Sequence, residues 1–315
     1  MTDFVFIDSG VGGIPYMMKL LEKKPDASCL YVADTANFPY GEKTHEEVVK
    51  CVSQLVKKIK SQFEPKVIVL ACNTMSVNAL EALRSEFSDV KFVGTVPAIK
   101  LAASVSKNRR IGLLATHATC ENPYNIELKN KFASDCTIVN RADPQLISFI
   151  EHNAFTASRK ECLAAVKPAV DFFRAENCDV IILGCTHFLN FTDVFKEACR
   201  PDIRVVDSVD GVVRHAIEVG DNTVVEPVET TADVNGGVVR SLRSLSSLQS
   251  KLAGNLTGVL GAEPLGERVA TNEVGAQGET SPSLFITGFR DTEEENQYNV
   301  LCSRFGIKFG GLLSK

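Results

Sequence analysis

Short, continuous β-branched runs alternate along the chain with longer stretches whose apolar residues recur at spacings of three and four. Runs at 3–7 (DFVFI), 28–32, 67–71, 111–115, 137–140 and 180–184 lack the in-out alternation of a half-exposed strand, which marks strands buried on both faces of a parallel sheet. The intervening periods predict helices near 15–24, 44–62, 76–87, 98–106, 123–132, 159–177, 191–198 and 210–219. Pro15 suits a first helical turn, and Thr44 followed by Glu47 spells a capping box. Strand and helix in strict alternation imply an α/β chain with mainly parallel sheets.

One unit of this pattern occurs twice. Residues 67–80 read VIVLACNTMSVNAL and residues 180–191 read VIILGCTHFLNF: an apolar run, a small residue, a cysteine, then Asn73-Thr74 or Thr186-His187. The stretch at 3–13 (DFVFIDSGVGG) places Asp8 about as far ahead of Cys72 as the stretch at 110–119 (RIGLLATHAT) places Thr116 ahead of Cys185. A further strand and polar turn follow each cysteine, with Pro97 beyond the first and Asp207 at a similar remove beyond the second. The spacing predicts two pseudosymmetric three-layer α/β domains facing a shared cleft, one formed by 1–97 with 209–315 and the other by 98–208. A pseudo-twofold axis would set the two cysteines on opposite sides of that cleft.

Composition narrows the function classes. The chain has 315 residues, 44% of them hydrophobic, enough for two cores. No apolar run reaches the ~18 residues of a membrane span, so a membrane is not an expected partner and a cytoplasmic location is. The net charge of −5 shows no concentrated basic patch, which argues against nucleic acid. Ten scattered cysteines without a C-x-x-C pair suit a reducing compartment. Residues 220–282 change character, with nine glycines and neither aromatic nor cysteine, and predict a flexible insertion. Within it Val238, Leu242, Leu245, Leu248 and Leu252 follow a helical period.

Ligands of open α/β sheets bind beyond the carboxyl ends of the strands, where Cys72 and Cys185 fall. Each is followed by small polar residues where a core would prefer apolar ones, and the backbone N–H groups there open helices suited to a carboxylate. The turn after Asp8 lacks both G-x-G-x-x-G and G-x-x-x-x-G-K-[ST], and an acid at a strand end disfavours a phosphate. Asp8 therefore points to a cation or a hydrogen-bond donor. Residues 33–41 (ADTANFPYG) show neither period and read as a fixed binding loop.

Taken together, DSGVGG at 8–13, ADTANFPYG at 33–41, ACNT at 71–74, Val96-Pro97, the apolar run ending at Glu151, GCTH at 184–187 and Asp207-Ser208 resemble the glutamate racemases of the cofactor-independent aspartate/glutamate racemase superfamily. The FITG run at 285–288 and the final helix also match. The resemblance implies proton transfer at the α-carbon by Cys72 and Cys185, the first served by Asp8 and the second by His187 with Glu151. It further implies that Ser9, Tyr40, Gly41, Asn73, Thr74, Thr116, Thr119 and Thr186 hold glutamate, with no cofactor or metal and with a possible homodimer. Thr116-His117-Ala118-Thr119 departs from the family's small pair between the threonines, and residues 220–282 are expected to lie outside its pattern. Other readings are a racemase for aspartate, a non-catalytic amino-acid-binding protein, or a metal site recruiting Cys72, Cys185, His187 and Asp8.

Overall fold

A computed structural model describes residues 2–153, 156–221, 281–289 and 291–313. Of the expected flexible insertion only residues 220, 221, 281 and 282 are described, and its expected amphipathic helix lies wholly outside the described residues. The first sheet is built from β1 (Thr2–Asp8), β2 (Cys29–Ala33), β3 (Pro65–Leu70), β4 (Lys91–Gly94), β9 (Ser283–Ile286) and β10 (Lys308–Leu312), in the order β10-β9-β2-β1-β3-β4. The second contains β5 (Arg110–Ala115), β6 (Thr137–Ala142), β7 (Val180–Leu183) and β8 (Arg204–Val206), in the order β6-β5-β7-β8. Every pairing is parallel. The order β2-β1-β3-β4 in one sheet is repeated as β6-β5-β7-β8 in the other, so the sequence repeat corresponds to a repeat of topology.

Strand alternation sorts the apolar residues into layers. In β1, Phe4 and Phe6 enter a core shared with Ile181 and Leu183 of β7, while Val5 and Ile7 turn to a second core. That second core is closed by α2 (His45–Phe63) and α3 (Asn73–Glu86). Ile111 and Leu113 of β5 with Val180 and Ile182 of β7 face a third core under α4 (Ile99–Val105). The shared core also takes residues from α1 (Ile14–Lys23), α7 (Pro144–Asn153), α8 (Arg159–Ala175), α9 (Thr192–Ala198), α10 (Val209–Gly220) and α11 (Thr292–Phe305), and so joins the sheets with continuous apolar packing. Two short helices, α5 (His117–Cys120) and α6 (Pro123–Phe132), link β5 to β6.

Local chemistry sets the boundaries. Thr44 and Glu47 form the reciprocal capping box at the head of α2, and Ser158 and Glu161 form another at α8. Helix α3 opens at Asn73, ahead of the start expected at 76, with Cys72 in extended conformation as its N-cap. Residues 33–42 contain two single turns of 3-10 helix, Thr35–Asn37 and Tyr40–Glu42, which are too short to show a period in sequence. Helix α10, which follows β8 of the second sheet, packs on α1 and β4.

Candidate active site

The carboxyl ends of β1, β3, β5 and β7 converge on one cavity of about 490 Å³. Cys72, just beyond β3, and Cys185, just beyond β7, both line it, and each is only 6% exposed. Ser9, Tyr40, Gly41, Asn73, Thr74, Thr116, Thr119, Thr186 and His187 line the same space. Asp8 and Glu151 stand one layer behind this wall and act on it through hydrogen bonds.

Asp8 is fully buried at the end of β1. Its Oδ1 accepts from the Ser9 N–H at 2.7 Å, and its Oδ2 accepts from Thr186 Oγ1 at 3.0 Å and Tyr31 Oη at 3.2 Å. Burial raises its carboxyl to about 6, against the opposing pull of His187 and of these donors. Burial and then the Asp8 charge hold the Cys72 thiol well above the ordinary range.

The other half-site is a relay. His187 Nδ1 lies 3.6 Å from Cys185 Sγ, and its Nε2 lies 2.7 Å from Glu151 Oε2. Burial alone would lower this imidazole, but the hydrogen bonds and charges of Cys185 and Glu151 outweigh it and raise His187 well above its usual value. The ring thus bridges the Cys185 sulfur and the Glu151 carboxyl, and both partners favour its protonated form. The Phe38 ring packs on it with centroids 5.7 Å apart, and Glu151 Oε2 also accepts from the Val11 N–H at 3.2 Å.

The two half-sites are tied across the sheets. Thr186, next to Cys185, donates to the carboxylate beside Cys72, while Val11, after β1, donates to the carboxylate beside His187. Asn73 Nδ2 donates to the Gly184 carbonyl, and Thr74 Oγ1 meets Thr116 Oγ1 at 3.3 Å. The glycines of the β1–α1 turn serve this closeness rather than a phosphate. A Cβ on Gly10 would stand 2.6 Å from the Glu151 carboxylate, and one on Gly12 would stand 2.6 Å from the His187 backbone nitrogen.

One neighbour of the site, Tyr31, escaped sequence reasoning. Tyr31 lies in an apolar strand run and reads as core, yet its hydroxyl accepts from the Gly13 N–H at 2.9 Å and sits within reach of Asp8 and the Gly10 carbonyl. The Tyr40 hydroxyl is committed to Asp34, so this residue offers the cavity its ring and backbone. His117 is exposed at the head of α5 and lines the cavity, with Thr116 as the N-cap. Asn73 Oδ1 is buried without a hydrogen-bond partner in the protein. Among the described residues no group of three or more His, Cys, Asp or Glu side chains is spaced to hold a metal ion.

A family model for the Asp/Glu/hydantoin racemases matches residues 16–216. The chain belongs to that family. It is 40% identical over 310 residues to a glutamate racemase of Treponema pallidum (strain Nichols), covering 98% of this chain and 96% of that one. A glutamate racemase of Proteus mirabilis (strain HI4320) is 38% identical over 215 residues, 68% of this chain and 74% of its own. The Treponema match spans nearly the whole chain, whereas the family model ends at residue 216, ahead of residues 222–280. The fold is that of an Escherichia coli glutamate racemase solved with L-glutamate and the activator UDP-MurNAc-ala, with a TM-score of 0.73 at 24% identity over 100% of this chain and 99% of that one. Racemase family membership makes this chain an isomerase.

Proposed function

We propose that the chain interconverts L- and D-glutamate by two-base proton transfer at the α-carbon, with Cys72 and Cys185 as the bases. The observation that carries this reading is the placement of the two cysteines in one cavity, at equivalent ends of repeated units, each with its own proton-handling partner. Inverting a stereocentre needs a base on one face and an acid on the other, and two monoprotic thiols meet that need.

The protonation state at rest favours one direction. Burial and the neighbouring Asp8 keep Cys72 a thiol, whereas Cys185 has the His187 ring 3.6 Å from its sulfur to take up and return a proton. Cys185 then takes the proton from L-glutamate and Cys72 delivers one to the opposite face. In the reverse direction Asp8 assists Cys72 in taking the proton from D-glutamate, and His187 with Glu151 resets Cys185. Asn73 Oδ1 accepts from the substrate ammonium. Ser9, Thr74, Thr116 and Thr119 supply hydroxyls, and Thr186, Tyr40 and Gly41 supply backbone, for the two carboxylates. Positioning and preorganised donors supply most of the barrier reduction, since an α-hydrogen is a far weaker acid than a thiol. In this reading 1–97 with 209–315 and 98–208 act as two lobes, the enzyme is cytoplasmic, a homodimer is compatible, and D-glutamate is destined for peptidoglycan.

The test is incubation with L-glutamate in deuterated water without added cofactor, read by chiral analysis and mass. D-glutamate carrying deuterium at Cα is expected, while aspartate turned over in its place would move the reading to the other acidic substrate. Binding of glutamate without exchange would leave a non-catalytic binding protein and overturn the proposal.

A further inference from the structure

The FITG run at the end of β9 has no part in the chemistry described so far, yet it carries a dense set of polar contacts to the substrate loop at 33–41. The Thr287 N–H donates to the Ala33 carbonyl at 3.0 Å, extending the β2–β9 ladder by one step. Thr287 Oγ1 then donates to Asp34 Oδ1 at 2.7 Å and accepts from the Ala36 N–H at 3.0 Å. Thr35 Oγ1 accepts from the Gly288 N–H at 3.1 Å and donates to the Gly288 carbonyl. A Cβ on Gly288 would stand 3.3 Å from the Ala36 Cβ, so the two segments lie as close as side chains allow.

Asp34 is the hub. It is 1% exposed, and its carboxylate receives Asn37 Nδ2 at 3.0 and 3.1 Å, the Tyr40 hydroxyl and Thr287 Oγ1. A carboxylate buried this deeply is tolerated only while its donors stay in place. From Thr287 a continuous path runs through Asp34 to Tyr40, and Tyr40 and Gly41 form part of the cavity wall.

We propose that Thr287 and Asp34 are positioning residues: the end of β9 clasps residues 34–37 and so holds Tyr40 and Gly41 ready for substrate before it arrives. The inference rests on the glutamate reading of the cavity. A loop released from this clasp must be ordered by the substrate itself, which weakens ground and transition states alike and so raises KM without lowering kcat.

Thr287→Val keeps the branched shape and removes both the donor to Asp34 and the acceptor for Ala36. It is expected to raise KM for both glutamate enantiomers about tenfold and keep kcat within about twofold, the size of effect that follows from losing a hydrogen bond to a charged group. Thr287→Ser restores the hydroxyl and should return KM to near the parent value. Thr35→Val cuts the same clasp from the loop side and should repeat the phenotype, which covers the case in which Thr287→Val does not fold. Amide exchange at Ala36 and Asn37 should quicken in either valine variant and slow again under saturating glutamate. Unchanged KM and exchange in both valine variants would overturn the proposal, as would a serine variant as impaired as the valine one, or a loss confined to kcat. If the parent chain binds glutamate without racemising it, the catalytic reading fails while the exchange measurement still decides whether the clasp exists.

Discussion

Asp8 is held in the fold at a cost that depends on pH. Its carboxyl titrates at about 6 in the folded chain against an ordinary 3.8, because burial disfavours the charged form. Below the ordinary value both states are protonated and the cost is absent; it grows as pH rises towards 6 and is constant above, at about 3 kcal/mol. Asp8→Asn is therefore expected to be more stable than the parent at pH 8 by up to about that amount, with the gain vanishing below pH 4, as denaturant melts across pH would show. The same substitution should lower kcat by about 10²- to 10⁴-fold, the range for removing a positioned acid-base group. In the parent, kcat with D-glutamate should fall as pH drops through about 6, since a protonated Asp8 cannot assist Cys72. The two thiols separate by isotope effect. Serine is the poorer base, so Cys72→Ser should show a large primary effect with α-deuterated D-glutamate and a smaller one with the L form, and Cys185→Ser the reverse. The same ranking in both variants would reject the assignment of faces.

At the scale of elements, the β1–α1 turn shows how much of the site was legible in the sequence and where legibility stopped. The duplicated strand-cysteine unit announced both cysteines, the parallel sheets and the shared cleft, because burial on both faces and strand-end chemistry leave local marks in the order of residues. The turn's glycines left an ambiguous mark, since a glycine needed for a phosphate and one needed for a neighbouring side chain look alike in sequence. Gly10 and Gly12 are small because of Glu151 and His187, which belong to the other sheet's half of the chain and lie far outside any local window. Tyr31 was hidden for a related cause: its ring obeys the strand pattern while its hydroxyl does not. Gly12→Ala would push on the His187 backbone and Thr186 Oγ1, at 2.6 and 2.8 Å from the new carbon. A loss of about 1–3 kcal/mol in stability is expected from such overpacking, with a fall in kcat larger than that of a surface Gly211→Ala control, whose Cβ meets nothing within 4 Å.

For the whole molecule, the cavity's thiols form a population distinct from the rest. Cys51 and Cys120 are half-exposed, and Cys29, Cys136, Cys162, Cys178, Cys199 and Cys302 are buried away from the cavity lining. A small alkylating reagent should inactivate the protein in step with modification of Cys72 or Cys185, and saturating glutamate should protect those two without changing the labelling of Cys51 and Cys120, as peptide mapping would show. Inactivation tracking Cys51 or Cys120 instead would count against the two-thiol site. The sheet order has a further consequence, which concerns synthesis. All the residues lining the cavity precede residue 188, but β9, which pairs with β2 through Leu30↔Ser283 and Ala33↔Ile286, is translated long after its neighbour. A contact of such sequence separation is among the last to form. Until the ribosome has delivered β9, a nascent chain can own both cysteines and still lack the strand that holds residues 34–37, so that the wall of the cavity is completed only after the cysteines themselves have been made.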